Sequence, residues 1–251
     1  MEQKDTAGTI EKALDVLFYL HEAPEPQGVT AIGRALGMPK SSTHRLLSAL
    51  GKRGLVEQDA RGRYHVGIGL VALGLGALER EPVAVAARPV LEARALEVGE
   101  TFFLVVARAG RLLVLDKAEG SGFLRAAPRL GSTVPVHATA VGKLYLAFAP
   151  ELLRKPENTL ERFTDNTTTD QAELAASVEA ARRDGWASNL EEWIPGLSVL
   201  AAPIRPAGRM VGTVALAAAA PRVNELGIDY LAHCVVDAAD SIAARLRGVV
   251  R

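Results

Sequence analysis

The sequence lacks the residues and segments that mark several classes of protein. It contains one cysteine, Cys234, among 251 residues, which excludes an internal disulfide and a zinc site built from several thiolates. No run of about 18 uncharged apolar residues is present, so we expect neither a membrane-spanning helix nor a membrane partner. The polar start, residues 1–5, is not followed by the apolar segment of a secretory signal, which predicts a cytoplasmic protein.

Motifs of catalysis and cofactor binding are also missing. No serine lies in a GxSxG elbow, no HExxH pair is present, and neither GKS nor GKT follows the GSTVP segment. Ser132, His137 and Asp116 could form a triad, but no motif supports this grouping. Cys234 lies among apolar residues, as is typical of a buried small hydrophobe. We therefore expect no enzymatic activity, no cofactor and no metal.

The formal net charge is zero, which taken alone argues against a nucleic-acid partner. The charge is unevenly distributed, however. Residues 1–29 have a net charge of −4, residues 30–66 a net of +5, and residues 67–251 a net of −1. Because salt screens charges beyond about 10 Å, a phosphate backbone responds to local charge rather than to the total. The segment 30–66 is therefore the expected contact with nucleic acid.

Hydrophobic spacing divides the first 66 residues into three helices and a hairpin. This order predicts a winged helix-turn-helix domain over residues 1–66. The expected elements are a helix over 8–21, a short helix TAIGRALG capped by Thr30, a turn at Met38-Pro39, a helix ending at Leu50, and the strands GLVEQ and RYHVG.

The start of the third helix, PKSSTHRLLSAL, carries more short polar and basic side chains than a core helix needs. In a helix-turn-helix the second helix of the pair enters the major groove, and its N-terminal residues approach the bases. Hydroxyls there can also simply cap and solvate a surface helix, and His44 suits phosphate contact and plain solvation equally. The predicted set for double-stranded operator DNA comprises Thr30, Lys40, Ser41, Ser42, Thr43, His44 and Arg45, with Arg61 and Arg63 on the hairpin tip.

The segment GIGLVALGLGALER predicts a linker helix over residues 67–82, and residues 83–251 form the remaining domain. The apolar faces between 67 and 97 favour a dimer interface, and two-fold dimers suit proteins that bind two half-sites. From Thr101 onward, strands and helices alternate in a pattern that predicts an α+β fold with an antiparallel sheet. The expected strands begin with TFFLVVARAG, RLLVLDKAEG and SGFLRAAP, and a last helix is expected over 223–247.

Two loops of this domain suit a binding site. LGSTVPVHAT ends at the N-terminus of a helix that Thr139 can cap, which is suitable for a polar or anionic group of a ligand. The second loop, NLEEWIPG at 189–196, has the position of a segment that closes over a pocket.

Taken together, four motifs resemble the IclR family of bacterial transcriptional regulators, and the resemblance covers nearly the whole chain. They are GMPKSSTHRLLSAL, GRYHVGIGLVALG, VPVHATAVGKLYLAF and EEWIPGLSVLAAPIRPAGRMVGTVALA. The resemblance implies a winged-helix domain, a linker helix and a GAF-like effector-binding domain with flanking helices. It also implies a homodimer or homotetramer that represses or activates operons of small-molecule catabolism.

The resemblance also implies positions for the effector pocket. Gly131, Ser132, His137, Ala138 and Thr139 match the loop of members that bind small oxo-acids. At four further positions this sequence departs from polar residues of those members. Asn189 replaces an aspartate, Val199 a cysteine, and Ala215 and Ala217 two serines.

The loss of these polar groups favours a ligand with more apolar surface. We therefore expect an effector larger or more apolar than glyoxylate or pyruvate, such as an aromatic compound or acid. The alternative is a C-terminal domain that binds no effector and only oligomerises.

Overall fold

The computed structural model describes residues 3–122, 129–154 and 159–249. The chain forms two compact units, of which the first extends to Arg80 and the second begins at Glu81. The division falls at the end of the segment expected to be a linker helix. No helix in the described ranges has the length and apolar character needed to cross a membrane.

The first unit is a helix-turn-helix with a short two-stranded wing, as predicted. Val16 and Leu20 of the first helix pack with Ile32, Leu47 and the wing residue Val56 in one core. Its elements are α1 (Gln3–Glu22), α2 (Val29–Ala35), α3 (Lys40–Gly51), the antiparallel strands β1 (Val56–Gln58) and β2 (Tyr64–Val66), and α4 (Ile68–Leu78).

The turn between α2 and α3 depends on two glycines. Gly37 has a φ of +62°, a conformation that an L side chain rarely adopts. Gly33 lies so close to the next segment that a Cβ there would be 2.9 Å from the Met38 carbonyl oxygen. The helix boundaries differ slightly from the prediction. Gly28 is the N-cap of α2, so Thr30 lies within the helix, and Pro39 is the N-cap of α3.

The N-terminus of α4 is joined to the wing and to the end of α3 through backbone contacts. The Gly69 N–H donates to the Gly54 carbonyl at 2.9 Å, and the Gly67 N–H donates to Leu55 at 2.9 Å. The Ile68 N–H donates to a carboxylate oxygen of Glu57 at 2.8 Å. These contacts satisfy helix-terminal N–H groups that otherwise lack partners. Gly67 and Gly69 allow this close approach, because a Cβ at either position would lie within 3 Å of the Gly54 carbonyl oxygen.

The second unit is built on a six-stranded antiparallel sheet with strand order β5-β4-β3-β8-β7-β6, which agrees with the predicted α+β class. Two helices, α5 and α9, pack on one face, and α6 lies on the other face beside α7. The elements are α5 (Pro82–Val98), β3 (Thr101–Arg108), β4 (Arg111–Ala118), β5 (Thr133–Val134), α6 (Ala140–Phe148), α7 (Gln171–Asp184), β6 (Ala187–Leu190), β7 (Leu197–Ile204), β8 (Gly212–Ala219), α8 (Ala220–Leu226) and α9 (Ile228–Val249).

The second unit differs from the sequence-based expectations at one helix, and one expected strand lies outside the described residues. The strand expected at SGFLRAAP falls largely on residues 123–128, which lie outside the described residues. The prediction of a single last helix over 223–247 was wrong, because the structure contains the two helices α8 and α9 instead. Gly227 separates them with a φ of +86° and a ψ of 135°, which is incompatible with a continuous helix.

We predict that Gly69→Ala loosens the junction between α4 and the wing. A Cβ at Gly69 would lie 2.8 Å from the Gly54 carbonyl oxygen, so backbone must move, at a cost of about 1–3 kcal/mol. Gly74→Ala is the matched control, because nothing lies within 4 Å of its Cβ position in the same helix. Hydrogen–deuterium exchange should accelerate at the backbone amides of residues 67 and 69 in the first variant only. Equal exchange in both variants would contradict the close approach.

Candidate functional site

The outer face of α3 presents the polar residues that the sequence singles out. Lys40, Ser41, His44 and Arg45 are exposed, and Ser42 is half-buried. The first turn of α3 contains no acidic residue. The partial positive charge of the helix N-terminus therefore adds to Lys40 and Arg45 without local compensation. This surface suits phosphate groups.

Thr43 differs from its neighbours because it is fully buried. Its hydroxyl donates to the Pro39 carbonyl at 3.1 Å, and its side chain fills the space beside Gly33 that a Cβ there would contact at 3.1 Å. Thr43 therefore fixes the packing of α3 against α2 and does not face the solvent. Thr43 was predicted to contact DNA, and its burial corrects this prediction.

The wing tip is organised by Asp59. One carboxylate oxygen accepts the backbone N–H groups of Arg61 and Arg63 at 2.9 and 2.8 Å. The backbone N–H of Arg63 is the main cause that holds the pKa of Asp59 below its usual value. The Arg63 side chain also pairs with Asp59 at 3.1 Å and lies 4.0 Å from Glu25, whereas Arg61 is exposed. Arg61 is thus the wing arginine better placed for an outside anion.

A small apolar pocket lies in the second unit between the sheet, the start of α6 and the loop after β6. Its cavity volume is about 10 Å³, which corresponds to about one water molecule. It is lined by Phe103, Val134, Thr139, Val141, Asn189, Trp193, Ile194, Leu197 and Val199.

Sheet register explains why several of these side chains meet. Asn189 on β6 pairs with Val199 on β7, and Val199 pairs with Ala217 on β8. Directly paired residues point to the same face of a sheet, and this face also carries Phe103 through the pairing of Thr101 with Ala217. The face is the one that α6 covers.

Asn189 is one of two buried polar residues that line this pocket, the other being Thr139. Its side-chain N–H donates to the Ala138 carbonyl at 2.7 Å, and the residue is 2% exposed. Its Oδ1 atom has no hydrogen-bond partner among the described residues. Thr139, by contrast, is satisfied, since its hydroxyl donates to Pro135 at 2.6 Å and accepts from the Gly142 N–H at 3.1 Å.

The loop 191–196 closes the pocket on its outer side, and Trp193 and Ile194 provide the contact. Glu191 has a φ of +60°, and its carboxylate accepts the Gly196 N–H at 2.7 Å. The next residue, Glu192, pairs with the buried Lys143 of α6 at 2.6 Å. These interactions hold the loop in a defined shape from outside the pocket.

Several residues implied by the resemblance lie elsewhere. The Ser132 hydroxyl donates to the Arg129 carbonyl at 2.7 Å, and Gly131 forms a turn with a φ of +77°. The His137 ring bonds the Glu161 carbonyl at 2.7 Å and stacks on Phe163, in a different cavity.

Ala138, Ala215 and Ala217 are buried but do not border the pocket cavity. Ala138 contributes only its backbone carbonyl, to Asn189. Of the nine positions that the resemblance implies, the structure therefore brings together Thr139, Asn189 and Val199.

Six lining residues were not named individually, namely Phe103, Val134, Val141, Trp193, Ile194 and Leu197, although Trp193 and Ile194 belong to the loop 189–196 that was expected to close over a pocket. The WIPG segment of the closing loop was the available signal for Trp193 and Ile194. The others are ordinary apolar residues of strands and of α6, and only the sheet register distinguishes them from the remaining core.

The groups considered for catalysis do not converge. Asp116 pairs with Arg88 at 2.8 Å, while Ser132 and His137 bond the backbone carbonyls described above. Cys234 is buried. In the part of the chain that the structure describes, no group of three or more His, Cys, Asp or Glu residues is arranged to hold a metal.

Comparison with known proteins agrees with both halves of this structure. Residues 9–60 match the IclR helix-turn-helix domain, and residues 75–244 match the bacterial transcriptional regulator IclR C-terminal domain.

Two curated relatives cover almost the whole chain. The HTH-type transcriptional repressor AllR of Salmonella typhimurium is 30% identical over 245 residues, which is 96% of this chain and 90% of the relative. The HTH-type transcriptional regulator BhcR of Paracoccus denitrificans is 32% identical over 248 residues, 96% of this chain and 88% of the relative.

Among solved structures, an IclR homolog from Microbacterium hydrocarbonoxydans, crystallised with 4-hydroxybenzoate, superposes with a TM-score of 0.83. It is 24% identical and covers 96% of this chain and 99% of its own. At this identity the similarity establishes the fold.

Proposed function

Because the chain belongs to the IclR family and is a DNA-binding transcriptional regulator, we propose that its second unit senses a small, mainly apolar or aromatic effector. The observation that carries this proposal is the composition of the pocket. Phe103, Trp193, Leu197 and Val199 line it. By the family resemblance, the valine stands where oxo-acid-binding members have a thiol. An apolar lining favours ligands that bury apolar area and disfavours a small, highly polar acid.

A related fold provides further support for an aromatic effector. The Microbacterium homolog was crystallised with 4-hydroxybenzoate, so this architecture accommodates a small aromatic acid in that protein.

The alternative function, a second unit that only oligomerises, is favoured by the small volume of the pocket, about 10 Å³. Entry of an aromatic ligand therefore requires the loop 191–196 to move outward.

For DNA we propose contact through the exposed face of α3 and the wing. Lys40, Ser41, Ser42, His44 and Arg45 form the central group, with Thr30 and Arg61 beside it and Arg63 restrained by Asp59. The two full charges on α3 contact phosphates or guanine edges in the major groove. A regulator that binds bacterial chromosomal DNA acts in the cytoplasm.

We also propose that a second copy of the chain covers the apolar residues of α1 and α4. Phe18 is 62% exposed and Leu73 is 65% exposed, and no residue of α4 is buried in the described chain. Apolar residues of this size exposed on two helices of one unit are typical of an interface between copies. Two copies also match the two half-sites of an operator.

We predict that Arg45→Ala and Lys40→Ala each weaken operator binding. Loss of one phosphate contact should reduce the slope of log K against log salt by about 0.9. If either residue reads a guanine instead, the loss should be confined to one base pair, at about 1–3 kcal/mol. Fluorescence anisotropy over a series of salt concentrations distinguishes the two. Arg183→Ala is the control for net charge, since Arg183 is exposed on α7 of the other unit, and unaltered binding by both α3 variants would refute the assignment.

A second prediction concerns assembly. Leu73→Glu should convert the oligomer to smaller species, because a carboxylate buried without a partner opposes association. Leu96→Glu is the control, as Leu96 is 81% exposed on α5, outside the proposed interface. Light scattering after size-exclusion chromatography measures the mass of each. Dissociation by the control alone would move the interface from α4 to α5.

A third prediction tests the effector class. Aromatic acids or neutral aromatics should raise the melting temperature with concentration, whereas glyoxylate and pyruvate should not. Binding to the folded state at about 100 times Kd adds roughly 2.7 kcal/mol of stability. Trp193→Ala should abolish the response, while Trp186→Ala, which alters a different cavity, should retain it. Micromolar binding of glyoxylate without any response to aromatic compounds would reject the apolar effector. If no class of compound changed the melting temperature, a second unit that only oligomerises would be favoured.

A further inference from the structure

The Oδ1 atom of Asn189 has a hydrogen-bonding requirement that the protein itself leaves unfilled. The Asn189 amide is oriented by its N–H bond to the Ala138 carbonyl at 2.7 Å, which requires the nitrogen to face α6. Oδ1 is therefore the atom left over, and it has no partner among the described residues. At 2% exposure, bulk water does not satisfy it.

A buried acceptor without a partner is costly, at about 1–3 kcal/mol, and such atoms in native proteins call for an explanation. The polar neighbour, Thr139, does not supply the missing donor, because its hydroxyl already donates a hydrogen bond to the Pro135 carbonyl. The pocket therefore retains one oriented acceptor against walls formed by Phe103, Trp193 and Leu197.

An acceptor of this kind discriminates among ligand groups. A carboxylate offers only acceptor oxygens, so it repels Oδ1 instead of bonding it. An ammonium donates, but its charge would lose hydration among apolar walls without a counter-ion. A neutral O–H or N–H group donates to Oδ1 without this penalty.

We propose that Asn189 determines effector specificity by accepting a hydrogen bond from a neutral O–H or N–H group on an otherwise apolar or aromatic ligand. This inference rests on the effector function proposed above and specifies the polar group of the ligand. By the family resemblance, Asn189 replaces an aspartate of oxo-acid-binding members. The replacement removes a negative charge from an apolar site.

The probes are p-cresol, its isomer anisole, and benzoate. The isomers have the same atoms, but only p-cresol carries an O–H donor, and benzoate carries a charged acceptor instead. Isothermal titration calorimetry on the full-length chain should show p-cresol binding about tenfold more tightly than anisole, because a site that bonds a donor rejects the analogue without it. Benzoate should bind more weakly than p-cresol.

Two variants assign the preference to one atom. Asn189→Leu should equalise p-cresol and anisole, since the acceptor is gone while the apolar volume is retained. Asn166→Leu is the matched control, because it makes the same change at an exposed asparagine that contacts the Leu190 carbonyl outside the pocket. It should leave the preference intact. If Asn189→Leu does not fold, the isomer comparison in the unaltered chain still decides the question.

The outcomes distinguish the role of Asn189 from the effector function as a whole. Equal or tighter binding of anisole or benzoate would overturn the role of Asn189 while leaving an aromatic sensor in place. A preference for p-cresol that persists in Asn189→Leu would likewise overturn it. Binding of none of the three probes would also overturn it, and absence of any melting shift with the broader classes would reject the effector function itself.

Discussion

The second unit depends on one close approach of backbone to backbone at the start of α6. A Cβ at Gly142 would overlap the Val136 carbonyl, so only glycine lets the helix begin against the strand and loop that precede it. With the helix in place, Thr139 caps it and the Ala138 carbonyl is presented to Asn189. The pocket is thus a consequence of where α6 begins, and its polar group is oriented by the helix entry instead of by neighbouring side chains.

The DNA-binding unit is organised in a similar way around Gly33. The small residue allows the buried Thr43 and the Met38 carbonyl to approach α2, which fixes the angle at which α3 leaves the turn. The run of hydroxyls in PKSSTHRLLSAL therefore has two roles. The Thr43 hydroxyl fixes the packing of the helix pair, while the exposed Ser41 and the half-buried Ser42 lie beside Lys40 and Arg45.

Sequence reasoning reached the elements and their order because periodicity and turn residues are local signals. The helix pair, the wing and the antiparallel sheet follow from such signals. The pocket followed only in part. The resemblance implied Thr139, Asn189 and Val199, whereas Phe103 lies far from them in the sequence and meets them only through sheet register. His137 illustrates the limit, since a polar residue in the right loop faces Glu161 and Phe163, which sequence spacing does not reveal.

The closing loop has an optical consequence. The sequence contains two tryptophans, and they lie in different surroundings: Trp193 borders the pocket, while Trp186 borders the cavity near Lys143 and Glu192. A ligand that displaces the loop changes the environment of the Trp193 indole most directly, because Trp193 is itself part of the loop. The chain therefore carries its own fluorescent reporter of pocket opening, and no dye or label has to be attached to observe it.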